Sequence, residues 1–176
     1  NAPQAPGPSL TQATPTFDAS SNAVVLYFNS TNGALLNNTY SYDIKDRFSL
    51  LDGSGNAILD ASGRTINSSS LINNVTVDAS SNRVSVSLST YNLTSYAGQN
   101  LTLTYTDKTS ANDTSGVIEF TSGADASGFS TTFSYPGQAP RFYSSQYDAS
   151  ANAVLLNFDS YTNSPLLNKS TNTNEL

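Results

Sequence analysis

The sequence predicts an all-β protein, a sandwich of antiparallel strands, and three observations carry that reading. Helix-favouring Glu occurs only at Glu119 and Glu175 and charged residues make up 11% of the chain, while Val, Thr, Tyr and Phe recur throughout. Apolar residues alternate with polar ones in short segments, the period of a strand with one face buried. Clusters of Gly, Asn, Asp and Ser break these segments at a spacing near a dozen residues, as in sandwiches built of about seven or eight short strands.

The elements follow in order. Residues 1–15 hold Pro3, Pro6, Pro8 and Pro15 among small polar residues, which suits an extended arm or linker rather than a packed element. In the first strand Val24, Leu26 and Phe28 form an apolar face, with Val25, Tyr27 and Asn29 on a mixed one. Residues 38–47 suit either a loop or one helical turn. Phe48-Ser49-Leu50-Leu51 and Ala57-Ile58-Leu59 flank Asp52-Gly53-Ser54-Gly55-Asn56, whose glycines supply the positive φ of a tight reversal, so a hairpin is expected. Asn74–Val77 and Val84–Leu88 flank a second turn, Asp78-Ala79-Ser80-Ser81-Asn82. There the Asp can accept a backbone N–H two residues on, and the Asn tolerates left-handed φ. Leu101–Thr106 alternates cleanly, Val117–Phe120 is a short run, and Phe129–Tyr135 closes the unit. This gives a sandwich over residues 16–135, and then residues 136–176 as a linker and the first strand or strands of a further unit.

That further unit is visible as a repeat. Phe17-Asp18-Ala19-Ser20-Ser21-Asn22-Ala23-Val24-Val25-Leu26-Tyr27-Phe28-Asn29-Ser30 returns 130 residues later as Tyr147-Asp148-Ala149-Ser150-Ala151-Asn152-Ala153-Val154-Leu155-Leu156-Asn157-Phe158-Asp159-Ser160, with nine of fourteen positions identical. Gln4-Ala5-Pro6 recurs as Gln138-Ala139-Pro140, which places the joint between units there. The period is that of a whole domain and not of a solenoid repeat, so each unit is expected to fold as its own bead.

Composition excludes several function classes. Cys, Met, Trp and His are all absent, which removes disulfides, the commonest transition-metal ligands and the usual pairings of nucleophile with base. A net charge of −6, with seven scattered basic residues, offers no stripe for phosphate, so nucleic acid is not an expected partner. The longest apolar run, Ala23–Phe28, is too short to span a bilayer, and Asn1-Ala2-Pro3 does not open a secretory leader, so the chain is expected to be mature, processed or cut from something longer. No cofactor and no enzyme activity are expected.

Several segments, in this order, resemble a bacterial family. Ala23–Phe28 is followed by Phe48-Ser49-Leu50-Leu51-Asp52, then Ala97-Gly98-Gln99-Asn100-Leu101-Thr102-Leu103-Thr104-Tyr105-Thr106-Asp107, Asn112–Ile118 and Asp125–Ser130. Together they are similar to the SwmB-type repeat found in tandem in very large cell-surface proteins of cyanobacteria and other aquatic bacteria, and more loosely to bacterial Ig-like domains. The resemblance runs from about Thr16 to Ser134, and Thr121-Ser122-Gly123-Ala124-Asp125 departs from the family pattern. It implies an Ig-like sandwich in a tandem array and extracellular display, adhesion or a motility-related surface structure.

Candidate sites are few. Asn-x-Ser/Thr sequons stand at Asn29, Asn37, Asn67, Asn74, Asn92, Asn100, Asn112 and Asn168, a mild excess for a chain this rich in Asn, Ser and Thr, and they are N-glycosylation candidates. Asp107 and Asp113 are the best pair for a Ca²⁺ ion, although no Asp-x-Asp-x-Asp cluster exists and capping of turns is the plainer role for Asp18, Asp52, Asp60, Asp78, Asp125 and Asp148. A glycosidase would need two carboxylates across a cleft, and Glu119 is the only Glu in the first unit. Tyr91, Tyr96 and Tyr143 lie outside the strand patterns and could stack on sugars. The expected function is a structural repeat of an extracellular cell-surface, adhesin or filament protein whose partners are neighbouring repeats or copies of itself. The alternative is a carbohydrate-binding adhesive module. Because the strand Ala153–Phe158 cannot be stable alone, it is expected to belong to a second domain or to complete a neighbour's sheet.

Overall fold

The computed structural model of the protein describes residues 6–37, 44–90, 92–107, 118–137 and 141–159. The elements in chain order are β1 (Thr16–Asp18), β2 (Ala23–Tyr27), β3 (Leu35–Asn37), β4 (Phe48–Asp52), α1 (Ser68–Leu71), β5 (Ile72–Asp78), β6 (Arg83–Leu88), β7 (Gln99–Tyr105), β8 (Ile118–Phe120), β9 (Phe129–Tyr135), β10 (Arg141–Asp148) and β11 (Ala153–Asp159). Every pairing between them is antiparallel.

One sheet runs β1-β2-β6-β5 and another β4-β7-β9. Lettered along the chain, with β3 and β8 set aside as a separate pair, this is the A-B-E-D and C-F-G order of the constant-type immunoglobulin sandwich. Alternation explains how the sheets meet. Val84, Val86 and Leu88 point inward from β6, Leu101, Leu103 and Tyr105 from β7, and Phe133 and Tyr135 from β9, and all join one core cluster. Aromatic rings tie the two layers: Phe17 on β1 stacks on Phe133 at 6.0 Å and meets Tyr135 edge-on at 5.3 Å, and Phe28 meets Phe129 edge-on at 5.9 Å. The β3–β8 pair adds Leu35, Ile118 and Phe120, all fully buried.

The β1–β2 and β5–β6 hairpins are built on the two Asp-Ala-Ser-Ser-Asn turns, 60 residues apart, and they face each other through β2 and β6. Val24 pairs with Val86, Val25 with Ser85 and Leu26 with Val84. Val84 is the counterpart of Val24 and Val86 that of Leu26, so each residue meets the counterpart of the other and a local two-fold axis passes between Val25 and Ser85. The bonds at the two ends of the ribbon obey the same symmetry: Phe28 N–H donates to the Asn82 carbonyl and Leu88 N–H to the Asn22 carbonyl, both at 2.9 Å.

Two expectations are corrected. The stretch read as an arm or linker rather than a packed element is extended where it is described, but it is packed. Thr11 N–H donates to the Tyr27 carbonyl at 2.9 Å, Asn29 N–H to the Ser9 carbonyl at 3.0 Å, and Leu10 bridges Phe28. Pro8 and Pro15 are buried. Proline is tolerated here because this is a sheet edge, where a missing N–H removes no inner ladder bond. Gly7 is required for close approach, since a Cβ there would lie 1.6 Å from the Asp125 carbonyl oxygen.

The Phe48–Leu59 hairpin is cut short. Asp52 N–H bonds the Asn56 carbonyl at 2.8 Å and the turn closes as expected, but the return is a single Leu51–Ala57 bridge. Only Ile58 of the returning segment is buried, Ala57 and Leu59 being exposed, and the long partner of β4 is β7, on its other edge. Within 38–47, Ile44–Arg47 forms a 3-10 turn, and the remainder lies outside the described residues.

Candidate assembly surface

The repeat detected in the sequence is a repeat in geometry. Asp18 pairs with Ala23 and Phe17 with Val24, and 130 residues on Asp148 pairs with Ala153 and Tyr147 with Val154. The hairpin inside the sandwich keeps the same register, Asp78 with Arg83 and Val77 with Val84. All three turns place Asn in the left-handed region, with φ of 49° at Asn22, 48° at Asn82 and 49° at Asn152. The short Asn side chain pays little for that conformation, and the preceding Asp fixes the turn by accepting local donors.

The carboxylates act alike in all three. Asp18 Oδ1 accepts Ser20 N–H at 2.9 Å and its hydroxyl at 2.6 Å, and Oδ2 accepts the Ser21 hydroxyl at 2.7 Å. Asp78 repeats this with Ser80 at 3.1 and 2.6 Å and Ser81 at 2.6 Å. Asp148 keeps the Ser150 bonds at 2.9 and 2.6 Å, while Ala151 leaves its second oxygen without the matching hydroxyl. Donors to the charged form favour it: the Ser20 and then the Ser21 hydroxyl lower Asp18 to about 2, and the Ser80 and then the Ser81 hydroxyl lower Asp78 to about 2. Asp148 is lowered chiefly by the Ser150 hydroxyl, and Asp52 chiefly by Asn56 N–H.

A pH dependence follows from these directions. Because the folded-state values of Asp18 and Asp78 are depressed, their stabilisation is fully present above the ordinary value of 3.8 and is lost as pH falls through about 2. Thermal melts should therefore fall between pH 4 and pH 2, modestly because these carboxylates are solvated. A chain carrying both Asp18→Asn and Asp78→Asn should fall less over that interval; an unchanged slope would refute this assignment.

The surroundings of the copies differ sharply. Val24 and Leu26 are 0% and 1% exposed beneath the second sheet, while their counterparts Val154 and Leu156 are 62% and 58% exposed. Leu155, Phe142 and Tyr147 are exposed as well. The expected lone strand has a partner in its own chain, since β11 pairs with β10, a strand not recognised in the sequence because Arg141-Phe142-Tyr143-Ser144-Ser145-Gln146 lacks clean alternation. What the chain presents is a two-stranded ribbon, and among the described residues neither strand pairs with a third. Among the described residues, then, this short ribbon carries exposed apolar residues on both of its faces.

The remaining candidates do not converge on chemistry. Asp107 is half-buried and engaged with other groups, and Asp113 lies outside the described residues. No group of three or more Asp, Glu, His or Cys positioned to hold a metal occurs among the described residues. Glu119 and Asp125 are buried and bridged across the turn that follows β8, an adjacency that sequence spacing did not reveal. Of the sugar-stacking candidates, Tyr96 packs against the core and its hydroxyl accepts Leu59 N–H at 2.9 Å. Tyr91 and the Tyr143 side chain lie outside the described part. Among the sequons Asn67, Asn74 and Asn100 are exposed and Asn29 is half-buried, whereas Asn92 Nδ2 donates to the Ser70 carbonyl at 2.8 Å. The Asn37 side chain, Asn112 and Asn168 lie outside the described part. No helix is long and apolar enough to cross a membrane among the described residues.

No protein-family model, curated protein or solved structure matches the chain.

Proposed function

We propose that the protein is a structural repeat module of an extracellular cell-surface or filament protein, set in tandem with neighbouring repeats. One observation carries this reading: β10–β11 reproduces the β1–β2 hairpin in sequence, register and turn geometry, so the chain opens a second sandwich after finishing the first. A unit that is restarted rather than elaborated makes length, and length built of folded beads is what a surface fibre needs. A skin of Ser, Thr and Asn, an absence of oxidisable Cys and Met, and exposed sequons at Asn67, Asn74 and Asn100 suit display outside the cell.

Immunogold labelling of intact, unpermeabilised source cells with antibodies raised against the sandwich tests this directly. Gold on the outer surface or along fibres is expected. Label that appears only after permeabilisation would overturn the location, and a single band of the sandwich's own size on blots of source cells would overturn the tandem array.

A further inference from the structure

We propose that the sandwich is a load-bearing unit in which residues 6–18 and β9, the first and last segments of the unit, form a lock against tension along the chain. The inference rests on the tandem reading above, since repeats joined in series pass any pull through those two segments of each unit. The chain enters and leaves at opposite poles. Leu10 bridges Phe28 at one end of β2 and Asp18 pairs with Ala23 at the other, so residues 10–18 run the length of β2. β9 runs beside them in the same direction: Phe129 meets Phe28, the Thr131 hydroxyl donates to the Ala13 carbonyl at 2.9 Å, and Phe133 and Tyr135 meet Phe17. Entry is therefore at the pole of Phe28 and Phe129, and exit, after Tyr135, at the pole of Asp18 and Ala23.

A pull on the chain drags the two segments past each other along their length. Antiparallel ladder bonds lie perpendicular to the strands, so such a pull strains them all at once, whereas a pull at one end breaks them in turn. The bonds at stake run from Thr11 N–H to the Tyr27 carbonyl at 2.9 Å, from Asn29 N–H to the Ser9 carbonyl at 3.0 Å, and along the β1–β2 pairs. The entry is fastened as well. Asn32 Nδ2 donates to the Pro6 carbonyl at 2.9 Å, and Gly7 fits against the Asp125 carbonyl, where a Cβ would lie 1.6 Å from the oxygen. The exit strand is held by β7 over its whole length, with hydroxyl pairs Thr102–Thr132 and Thr104–Ser130 both at 3.1 Å. Among the described residues β1 and β9 are the outermost strands of their sheets, so load passes directly between them, across Ala13–Thr131 and Phe17–Phe133, and bypasses β4 at the far edge.

Because the chain has no Cys, two introduced thiols choose where force is applied. In optical tweezers the full chain held through Pro6→Cys and Pro136→Cys, both exposed positions, is loaded along the strands. Held instead through Pro6→Cys and Ser122→Cys, in the turn that ends at Asp125 beside Gly7, it is peeled from the entry pole. The first geometry should open at a severalfold higher force than the second. Thr11→Pro removes a ladder donor and should raise the opening rate under a fixed strand-wise load about fivefold, the factor that one net hydrogen bond carries. Asn32→Ala should act in the same direction. Leu50→Ala, at a fully buried position on β4, should lower the thermal melt far more than either yet leave the strand-wise opening force nearly unchanged. A merely structural role would order the forces as it orders the melts. Equal forces in the two geometries, or forces that follow the melts, would overturn the lock and leave standing the tandem reading, which blots and surface labelling decide.

Discussion

Phe133→Ala is expected to lower the free energy of unfolding by about 3–5 kcal/mol, the largest effect of any single truncation considered for this chain. Phe133 is 1% exposed on β9 and its ring lies parallel to that of Phe17, 6.0 Å away on the opposing sheet. Removing it deletes a large apolar group and one side of the stack between the layers. The neighbours are strands held in fixed register, so they cannot collapse fully into the space. Domains of this size hold only about 5–15 kcal/mol of net stability, and the variant should lose a large part of it. Urea titration followed by tyrosine fluorescence will show this as a lower midpoint at an unchanged slope. A loss below about 1 kcal/mol would mean that Phe133 does not join the two sheets.

Asn22→Ala is expected to cost about 2–3 kcal/mol, from two separable sources. The residue sits at φ 49°, where a Cβ other than that of Asn or Asp is strained, and its Nδ2 donates to the buried Leu88 carbonyl at 2.8 Å. Asn22→Gly removes the strain and keeps only the lost hydrogen bond. It should cost under about 1 kcal/mol, because the Oδ1 it also removes is buried without a partner. The repeat supplies an internal control: Asn152 has the same φ and the same turn but is exposed. Asn152→Ala should leave unfolding of the sandwich unchanged. Equal losses at the two positions would show that turn strain alone, and not the β2–β6 contact, sets the cost.

The same pair of residues shows where sequence stops informing. Asn22 and Asn152 sit in near-identical strings and adopt near-identical backbone, because an Asp-capped turn is decided within about five residues by hydrogen bonds that the segment makes to itself. The strand alternation of β6, β7 and β9 was legible for a similar reason, since a period of two fixes which side chains share a face before any partner is chosen. Residues 6–15 were not legible as a packed edge, because three prolines describe a backbone that lacks donors and not what lies beside it. The Ala57–Leu59 return does not lengthen into a strand along β4 because after one bridge to Leu51 it turns again, Asp60 N–H bonding the Arg64 carbonyl and Leu59 bridging Thr65. Glu119 and Asp125 look like ordinary polar residues in sequence, and only the turn that follows β8 makes them buried neighbours.

That the chain is β, that it turns at Asp-Ala-Ser motifs, and that residues 147–160 restate residues 17–30 can be read from the amino-acid order alone, because each is written in local periodicity and local hydrogen bonding. Tertiary structure decided that β2 meets β6 across a two-fold axis, that Val24 is buried while Val154 is exposed, and that the tail is a ribbon rather than a lone strand. These depend on contacts between distant segments, and the same residues in the same local fold are covered or bare according to which other strand arrives beside them.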